Sequence, residues 1–265
     1  MNVDRHIDIM GIVNLTDDSY FAQSRCSDAD AVLQRVGRML EEGATIIDIG
    51  ACSTRPGSIP VGAQEECRRL GQCLPLIREA YPDVKISIDT YWADVVSYAN
   101  GLIGDFIVND ISAGEDDPRM LPLVGKLGLT YVAMHKRGTP EIMQSLTNYN
   151  DVVWDVVAYF NQFAEKALQN EIKDWVLDPG FGFAKTIEQN YDILSRLGEF
   201  KNLGRPILVG VSRKSMVYKL LGISPEDSLP APQVLHLKAL QQGADILRVH
   251  DVAEAAQTVR LYRML

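Results

Sequence analysis

Short apolar runs that each end in a polar residue recur along this chain. They are rich in Ile, Val and Leu and lie near 7–13, 45–50, 85–89, 105–110, 130–135, 174–178, 206–211 and 245–250. They show no clean alternation of polar and apolar residues, which is typical of strands buried on both faces. Polar side chains at the same end of successive strands are the ground plan of a (β/α)8 barrel. We therefore predict an α/β fold, a single (β/α)8 TIM barrel with its active site at the carboxyl ends of the strands.

Helical patterns fill the spaces between these runs. They lie near 28–42, 63–80, 92–100, 117–127, 151–169, 187–198, 231–242 and 252–263. We expect Ser27 to cap the first helix and Gly43 to end it. The loops 136–150 and 222–230 should lie at the rim of the mouth or on an outer helix connection, while 15–27 fits a lid or a solvated loop equally well. A barrel typically takes about 250 residues, so residues 1–265 are predicted to form one domain.

The composition limits the partners that the chain can bind. A net charge of −9 argues against general affinity for nucleic acid or an anionic membrane. The charged N-terminus is unlike a signal peptide, and no apolar run approaches the roughly 20 residues that span a bilayer. The four cysteines lack metal-ligand spacing and are expected to be reduced thiols. We expect a cytoplasmic protein.

Asp89, Asn109 and Asp178 end three of the predicted strands. One such residue alone more often caps the helix that follows it. Three that converge on one mouth can together read the donor and acceptor edge of a heterocyclic ligand, and sites of this kind reject analogues that lack the hydrogen-bonding group. The set therefore favours ligand recognition over capping.

Arg55, Arg248 and His250 come from units 2 and 8, which both neighbour unit 1 in a closed barrel. Because the planar fork of arginine donates two parallel bonds, it is suited to phosphate. The alternative is an arginine–carboxylate brace across the barrel. Asn14, at the end of the first strand, can supply an oxygen to Mg²⁺, which usually has few protein ligands and is also bound by substrate phosphates.

Two further segments carry candidate groups. Residues 212–215, Ser-Arg-Lys-Ser, end strand seven, where barrels often bind phosphate, although they equally fit the start of a helix. Residues 180–185, Gly-Phe-Gly-Phe-Ala-Lys, lack the spacing of a phosphate loop and instead suggest a tight turn that presents Phe181 or Phe183 to the mouth. The isolated histidines His6, His135 and His236 are interpreted as structural.

Eight segments in order resemble the dihydropteroate synthase family almost from end to end. They include Met-Gly-Ile-Val-Asn-Leu-Thr at 10–16 and Asp-Ile-Gly-Ala-Cys-Ser-Thr-Arg-Pro-Gly at 48–57. The others lie at 86–90, 108–112, 134–140, 177–183, 209–215 and 243–251. Each segment alone is modestly specific, but all eight in this order leave little room for coincidence.

The resemblance implies a folate-pathway transferase that joins a dihydropterin diphosphate to p-aminobenzoate, that uses Mg²⁺, that sulfonamides inhibit and that forms a homodimer. The pterin would contact Asp89, Asn109, Ile111, Met134, Asp178 and Lys214. The diphosphate would contact Asn14, Arg55, Arg248 and His250, with Asn14 also facing the metal. The p-aminobenzoate pocket would be formed by Tyr20, Thr54, Pro56, Phe183 and Ser215. The catalytic groups would be Arg55, Lys214, Arg248 and His250.

The chain departs from the family pattern mainly in its first loop. Asp17 replaces a proline, Tyr20 a phenylalanine and Ala22 an aspartate, and Cys52 stands where glutamate is common. Two alternatives follow, a pterin-binding methyltransferase and a non-catalytic pterin-binding paralogue. The methyltransferase would need neither residues 212–215 nor residues 248–250. Because the pterin and diphosphate residues are intact, we expect catalysis.

Overall fold

A barrel of parallel strands forms the centre of the molecule, in a computed structural model that describes residues 5–15, 25–51, 61–139, 142–224 and 226–265. These residues contain eight strands, β1 to β8 in chain order: Asp8–Asn14, Ile46–Gly50, Lys85–Asp89, Ile107–Asp110, Thr130–Met134, Trp175–Asp178, Leu208–Val209 and Ile246–Val249. The sheet order is β6-β5-β4-β3-β2-β1-β8-β7. A parallel bridge between Leu177 and Ile207 links the two edges. The predicted (β/α)8 barrel is confirmed.

Helices surround this barrel. Within the described ranges there are nine α-helices, α1 to α9: Arg25–Glu42, Ala63–Ala80, Ala93–Ile103, Met120–Leu127, Val152–Gln169, Ile187–Ser195, Ser215–Leu221, Ala231–Gln242 and Val252–Met264. Short 3₁₀ helices lie at Met143–Ser145, Leu197–Leu203 and Glu226–Ser228. Among the helices described, none is both long and apolar enough to cross a bilayer.

Three local predictions need correction. Helix α1 begins at Arg25 and not after Ser27, because its hydrogen bonds extend beyond the apolar periodicity that located it. Strand β7 has two residues, Leu208 and Val209, and not the six of 206–211; Ile207 before it forms only an isolated bridge to Leu177. Helix α7 was not predicted as an element of its own, although Ser215 was recognised as a possible helix start. Gly43 ends α1 as expected, with φ +108°.

The barrel interior changes from apolar to polar along the strands. Nearer the amino ends of the strands, the interior holds a cluster of buried apolar side chains: Met10, Ile46, Val132, Val176, Leu208 and Ile246. Residues two apart on a strand face the same side, so Asp48 lies on the interior face above Ile46. Asp48 is fully buried, as is Ser87, its register partner on β3. The interior therefore presents polar groups toward the carboxyl ends of the strands.

Candidate functional site

Chemically useful side chains concentrate at the carboxyl ends of the strands. A cavity of about 680 Å³ lies at the opposite end, and its lining includes Ile46, Ile86 and Ile246 with charged groups such as Asp8 and Arg78. Two of the charged groups there already have protein partners: Asp8 accepts from Thr45 Oγ1 and Arg78 donates to backbone carbonyls. We therefore place the candidate site at the carboxyl ends, where polar groups converge.

Asp48 is the centre of a buried hydrogen-bond network that sequence reasoning missed. Its carboxylate accepts from Ser87 Oγ at 2.6 Å, from Arg248 Nε at 2.6 Å and from Asn109 Nδ2 at 3.2 Å. The network joins strands β2, β3, β4 and β8 across the barrel. It fixes Asn109 and Arg248, two of the predicted ligand-binding residues, before any ligand arrives.

Arg248 also binds a second carboxylate. Its Nη2 lies 2.6 Å from Oδ2 of Asp89, the last residue of β3. Burial raises the pKa of Asp89, although the charge of Arg248 opposes that rise. Burial also disfavours the charged guanidinium, but Asp48 and Asp89 outweigh burial and raise the pKa of Arg248. The geometry is the arginine–carboxylate brace that the sequence left open, while a further bond to diphosphate stays a prediction.

The predicted pterin-binding groups lie at neighbouring strand ends. Asp89 is in register with Asn109, and Met134 is in register with Asp178. Burial raises the pKa of Asp178, and its Oδ1 accepts from the backbone N–H of Gly180 at 2.8 Å. The remaining predicted pterin contact, Ile111, directly follows β4 and is buried. A ring system placed between these strands would meet carboxylate and amide groups at its edge and apolar side chains beside it.

Lys214 and Phe183 lie together at the mouth. Lys214 Nζ donates to the carbonyl oxygen of Phe181 at 2.5 Å and lies 4.5 Å from the centre of the Phe183 ring. Burial lowers the pKa of Lys214 to about 8, opposed by the negative charge of Asp178. Of the two aromatic candidates, Phe181 is fully buried and only Phe183 is partly exposed. Phe183 is therefore the ring that a ligand can reach, and Ser215 begins α7 beside Lys214.

A second buried lysine, Lys185, lies behind this pair and was not among the predicted site residues. Its Nζ contacts Nδ1 of His135 at 3.0 Å and donates to the carbonyl oxygens of Gly180 at 2.9 Å and Phe183 at 3.0 Å. Burial lowers the pKa of Lys185 to about 7 and that of His135 well below its usual value. His135 is thus neutral, in line with the structural interpretation of this residue.

Asn14 and His250 border the same mouth. A Cβ built on Gly50 would lie 3.5 Å from Asn14 Oδ1 and 3.8 Å from Asp89 Oδ2, so the missing side chain leaves space between these oxygens. Nδ1 of His250 lies 3.2 Å from Oγ of Ser212. Among the described residues there is no cluster of three or more His, Cys, Asp or Glu side chains that could hold a metal. The assignment of Mg²⁺ to Asn14 stays a prediction.

A buried carboxylate at the start of α2 supports the ends of β3 and β4. Thr90 Oγ1 donates to Glu66 Oε2 at 2.8 Å, and Thr90 N donates to the carbonyl oxygen of Asn109 at 3.1 Å. Oε1 of Glu66 is buried and has no hydrogen-bond partner among the residues that the structure describes. Burial raises the pKa of Glu66 to about 7. Sequence reasoning missed Glu66, although its spacing of four from buried Leu70 places it on the apolar face of the helix.

Several predicted residues lie outside the described ranges. They are Tyr20, Thr54, Arg55 and Pro56, together with the atypical Asp17, Ala22 and Cys52. Their assignments to p-aminobenzoate and diphosphate remain predictions. The two segments that contain them directly follow Leu15 and Ala51, the first residues after β1 and β2.

Comparison with known proteins gives consistent matches over the whole barrel. The family model for pterin binding enzymes matches residues 10–250. Dihydropteroate synthase of Escherichia coli strain K12 is 37% identical over 258 residues, which cover 97% of this chain and 90% of that protein. The solved structure of Yersinia pestis dihydropteroate synthase with a sulfonamide drug has a TM-score of 0.91 and 36% identity, covering 100% of this chain and 95% of that one. A Clostridium difficile dihydropteroate synthase, solved in the presence of pteroic acid, has a TM-score of 0.91 and 36% identity, covering 100% of this chain and 98% of that one.

Proposed function

This chain belongs to the pterin-binding enzyme family and is a dihydropteroate synthase, a transferase of folate synthesis, and from that premise we propose how its residues divide the reaction. The amine of p-aminobenzoate attacks the methylene carbon of 6-hydroxymethyl-7,8-dihydropterin diphosphate. A C–N bond forms, the C–O bond breaks and its electron pair leaves with pyrophosphate. The amine then loses a proton, which gives 7,8-dihydropteroate.

The pterin ring is proposed to bind between the ends of β3, β4 and β6. The carboxylate of Asp178 accepts from the 2-amino group and the ring N–H, while Asp89 and Asn109 satisfy the remaining polar edge. Lys214 donates to the ring from the Asp178 side. What carries this assignment is the convergence of these four groups beside Arg248 at one mouth. Met134 and Ile111 supply the apolar contacts.

The leaving diphosphate is proposed to bind on the β8 side of the mouth. Arg248 keeps two bonds to Asp48 and Asp89 and turns its remaining N–H groups toward the phosphate oxygens, with His250 and Arg55 completing the contact. Donors that are fixed beforehand stabilise the charge that develops on the departing oxygen. Because the aniline nitrogen is already a nucleophile, the reaction requires no serine–histidine pair.

The second substrate, p-aminobenzoate, is proposed to bind against the ring of Phe183. Its benzoate ring stacks near the exposed face of Phe183, while Ser215, Thr54, Pro56 and Tyr20 form the rest of the pocket. The Lys214 ammonium already lies over the Phe183 ring. The pocket thus places the amine of p-aminobenzoate toward the pterin methylene, between the two ligand-binding halves of the mouth.

Mg²⁺ is proposed as the cofactor, held by Asn14 and the substrate diphosphate. The space beside Gly50 between Asn14 Oδ1 and Asp89 Oδ2 fits this assignment. When bound, the ion would neutralise negative charge on the departing phosphate oxygens. Asn14 would hold the ion through its amide oxygen and so orient that end of the substrate.

We propose that the enzyme is a cytoplasmic homodimer. Large apolar side chains are exposed on the last three helices, where Val234, Leu261 and Met264 are each about 70% exposed. Leu220 and Leu221 of α7 are exposed as well. Exposed apolar patches of this kind are typical of protein interfaces. A mass measured by light scattering of twice 29.4 kDa tests the dimer, and the mass of one chain would exclude it.

The activity is tested by following both products with and without p-aminobenzoate. Purified protein is incubated with Mg²⁺ and the dihydropterin diphosphate, and pyrophosphate and dihydropteroate are measured together. We expect equal amounts of both products, and neither without p-aminobenzoate. A folded protein that binds the pterin but releases no pyrophosphate would instead be the non-catalytic paralogue. Methyl transfer from methyltetrahydrofolate would establish the methyltransferase.

A further inference from the structure

Lys185 is a buried lysine at the mouth that has no part in the reaction described above. Only 4% of the residue is exposed. An ammonium has three N–H donors and no acceptor. All three are used within the protein, by Nδ1 of His135 and by the carbonyl oxygens of Gly180 and Phe183. Lys185 therefore acts on the protein and does not bind substrate itself.

The two carbonyl groups belong to opposite ends of one tight turn. Phe183 N also donates to the Gly180 carbonyl oxygen, at 3.1 Å, so a backbone hydrogen bond and the lysine both stabilise this turn. Gly180 has φ +71°, and a Cβ there would collide with the carbonyl oxygen of His135. The turn is thus pressed against the end of β5, and the bond from Lys185 to His135 holds it there.

The same turn fixes two groups of the proposed site. The carbonyl oxygen of Phe181 accepts from Lys214 Nζ, and the ring of Phe183 faces that ammonium. A change in the turn would move the Phe183 ring directly. Asp89 and Asn109 are held differently, since they are strand residues with hydrogen bonds to Arg248 and Asp48.

We propose that Lys185 is a positioning residue of the p-aminobenzoate pocket. By fixing residues 180–185 against His135, it keeps the Phe183 ring in the place where the second substrate stacks. This inference rests on the proposed function, in which Phe183 forms that pocket. It implies a larger effect on p-aminobenzoate than on the pterin, because losing the ammonium loosens Phe183 directly. Asp89 and Asn109 stay in place, and the turn contacts the other pterin-binding groups only through the Phe181 carbonyl oxygen on Lys214 and the Gly180 N–H on Asp178.

The test measures the two substrates separately in Lys185→Met, which keeps a side chain of similar length without the donors. The KM for p-aminobenzoate should rise at least tenfold. The Kd for the dihydropterin diphosphate, measured by calorimetry without p-aminobenzoate, should change less than threefold. Lys185→Gln retains one polar donor group on a shorter side chain and should give an intermediate KM. Lys173→Met, at an exposed lysine before β6, is the matched control and should leave both constants unchanged.

Two outcomes would overturn the role of Lys185. One is a folded Lys185→Met enzyme with the wild-type KM for p-aminobenzoate, even if its melting temperature is lower, and the other is an equal change in both constants. If Lys185→Met does not fold, Lys185→Gln is compared with the wild type by the same criteria. Wild-type turnover is measured first, so a failure of the proposed function is seen before any variant is compared.

Discussion

Arg248 donates from Nε to Oδ2 of Asp48 at 2.6 Å and so ties β8 to β2 across β1. Its Nη2 is equally close to Asp89. Removing one partner of a buried ion pair typically costs about 3–5 kcal/mol. An alanine at position 248 would therefore damage folding as well as catalysis. A milder change is needed to separate the two roles.

Arg248→Lys provides that change, because it keeps the positive charge but loses the planar fork. We expect the free energy of unfolding to fall by about 1–2 kcal/mol and kcat to fall by about 100-fold. Urea unfolding and steady-state turnover measure the two effects. Arg205→Lys is the control, since Arg205 lies over Trp175 at the start of β6 and away from the mouth. Full turnover in Arg248→Lys would show that the fork does not hold the diphosphate.

Asp178→Asn should weaken pterin binding while preserving the local fold. The amide oxygen can still accept from Gly180 N, but its NH₂ group would face the N–H edge of the pterin. A lost charged hydrogen bond of about 2 kcal/mol corresponds to a rise in Kd of roughly 30-fold. Calorimetry measures this Kd. Asp174→Asn, at an exposed aspartate just before β6, should bind the pterin as the wild type does, and a wild-type Kd in Asp178→Asn would move the pterin elsewhere.

Glu66 should make stability depend on pH. Its pKa is raised from 4.5 to about 7 on folding, so the folded state binds more protons than the unfolded state between these values. Stability then falls as pH rises through this window, by on the order of 3 kcal/mol in total, and levels off above it. Glu66→Gln removes the titration. The stability of Glu66→Gln relative to the wild type should therefore increase between pH 5 and pH 8, as chemical unfolding at both pH values would measure.

Glu65 is the matched control for this titration. Arg68 and Arg69 donate hydrogen bonds to its carboxylate and lower its pKa to about 2. It is therefore ionised in the folded state throughout the window, and nearly so in the unfolded state. The difference between Glu65→Gln and the wild type should stay nearly constant from pH 5 to pH 8. A Glu66→Gln variant with the same pH dependence as the wild type would mean that Glu66 does not titrate there.

Gly182→Ala should impair turnover through Lys214. Gly182 has φ +82°, and a Cβ there would lie 3.3 Å from Cδ of Lys214. Gly204 also has positive φ, +63°, but a Cβ there would meet nothing within 4 Å. Both alanine variants should lose about 1 kcal/mol of stability to backbone strain. Only Gly182→Ala should lower kcat/KM, by at least about threefold, and equal kcat/KM values in the two variants would contradict the contact with Lys214.

The fold was predictable because its signal is repeated eight times. Apolar runs of Ile and Val marked each strand, and the helical spacing between them fixed the alternation. Helix α7 has only seven residues, which is too short to show a convincing period, so it was missed. Strand ends at Asp89, Asn109 and Asp178 were predictable for the same reason as the strands themselves.

The buried groups that hold the site residues in place, Asp48, Glu66 and Lys185, were not predictable in the same way. Each stands in a sequence pattern that has a more common structural explanation. Asp48 interrupts an apolar strand, and only its partner Arg248, on a strand that is distant in sequence, explains its burial. Glu66 is one of two adjacent glutamates of which only one faces the core. Lys185 ends a glycine-rich turn, and its three acceptors come together only when β5 and β6 are adjacent.

The most direct test of the account is a crystal structure of this chain with pteroic acid bound. The central claim is that the carboxyl ends of β3, β4 and β6 bind the pterin. We expect its 2-amino group and ring N–H within about 3 Å of the Asp178 carboxylate and its benzoate ring against Phe183. A pterin out of reach of Asp178, or bound in the cavity at the opposite end of the barrel, would contradict the claim.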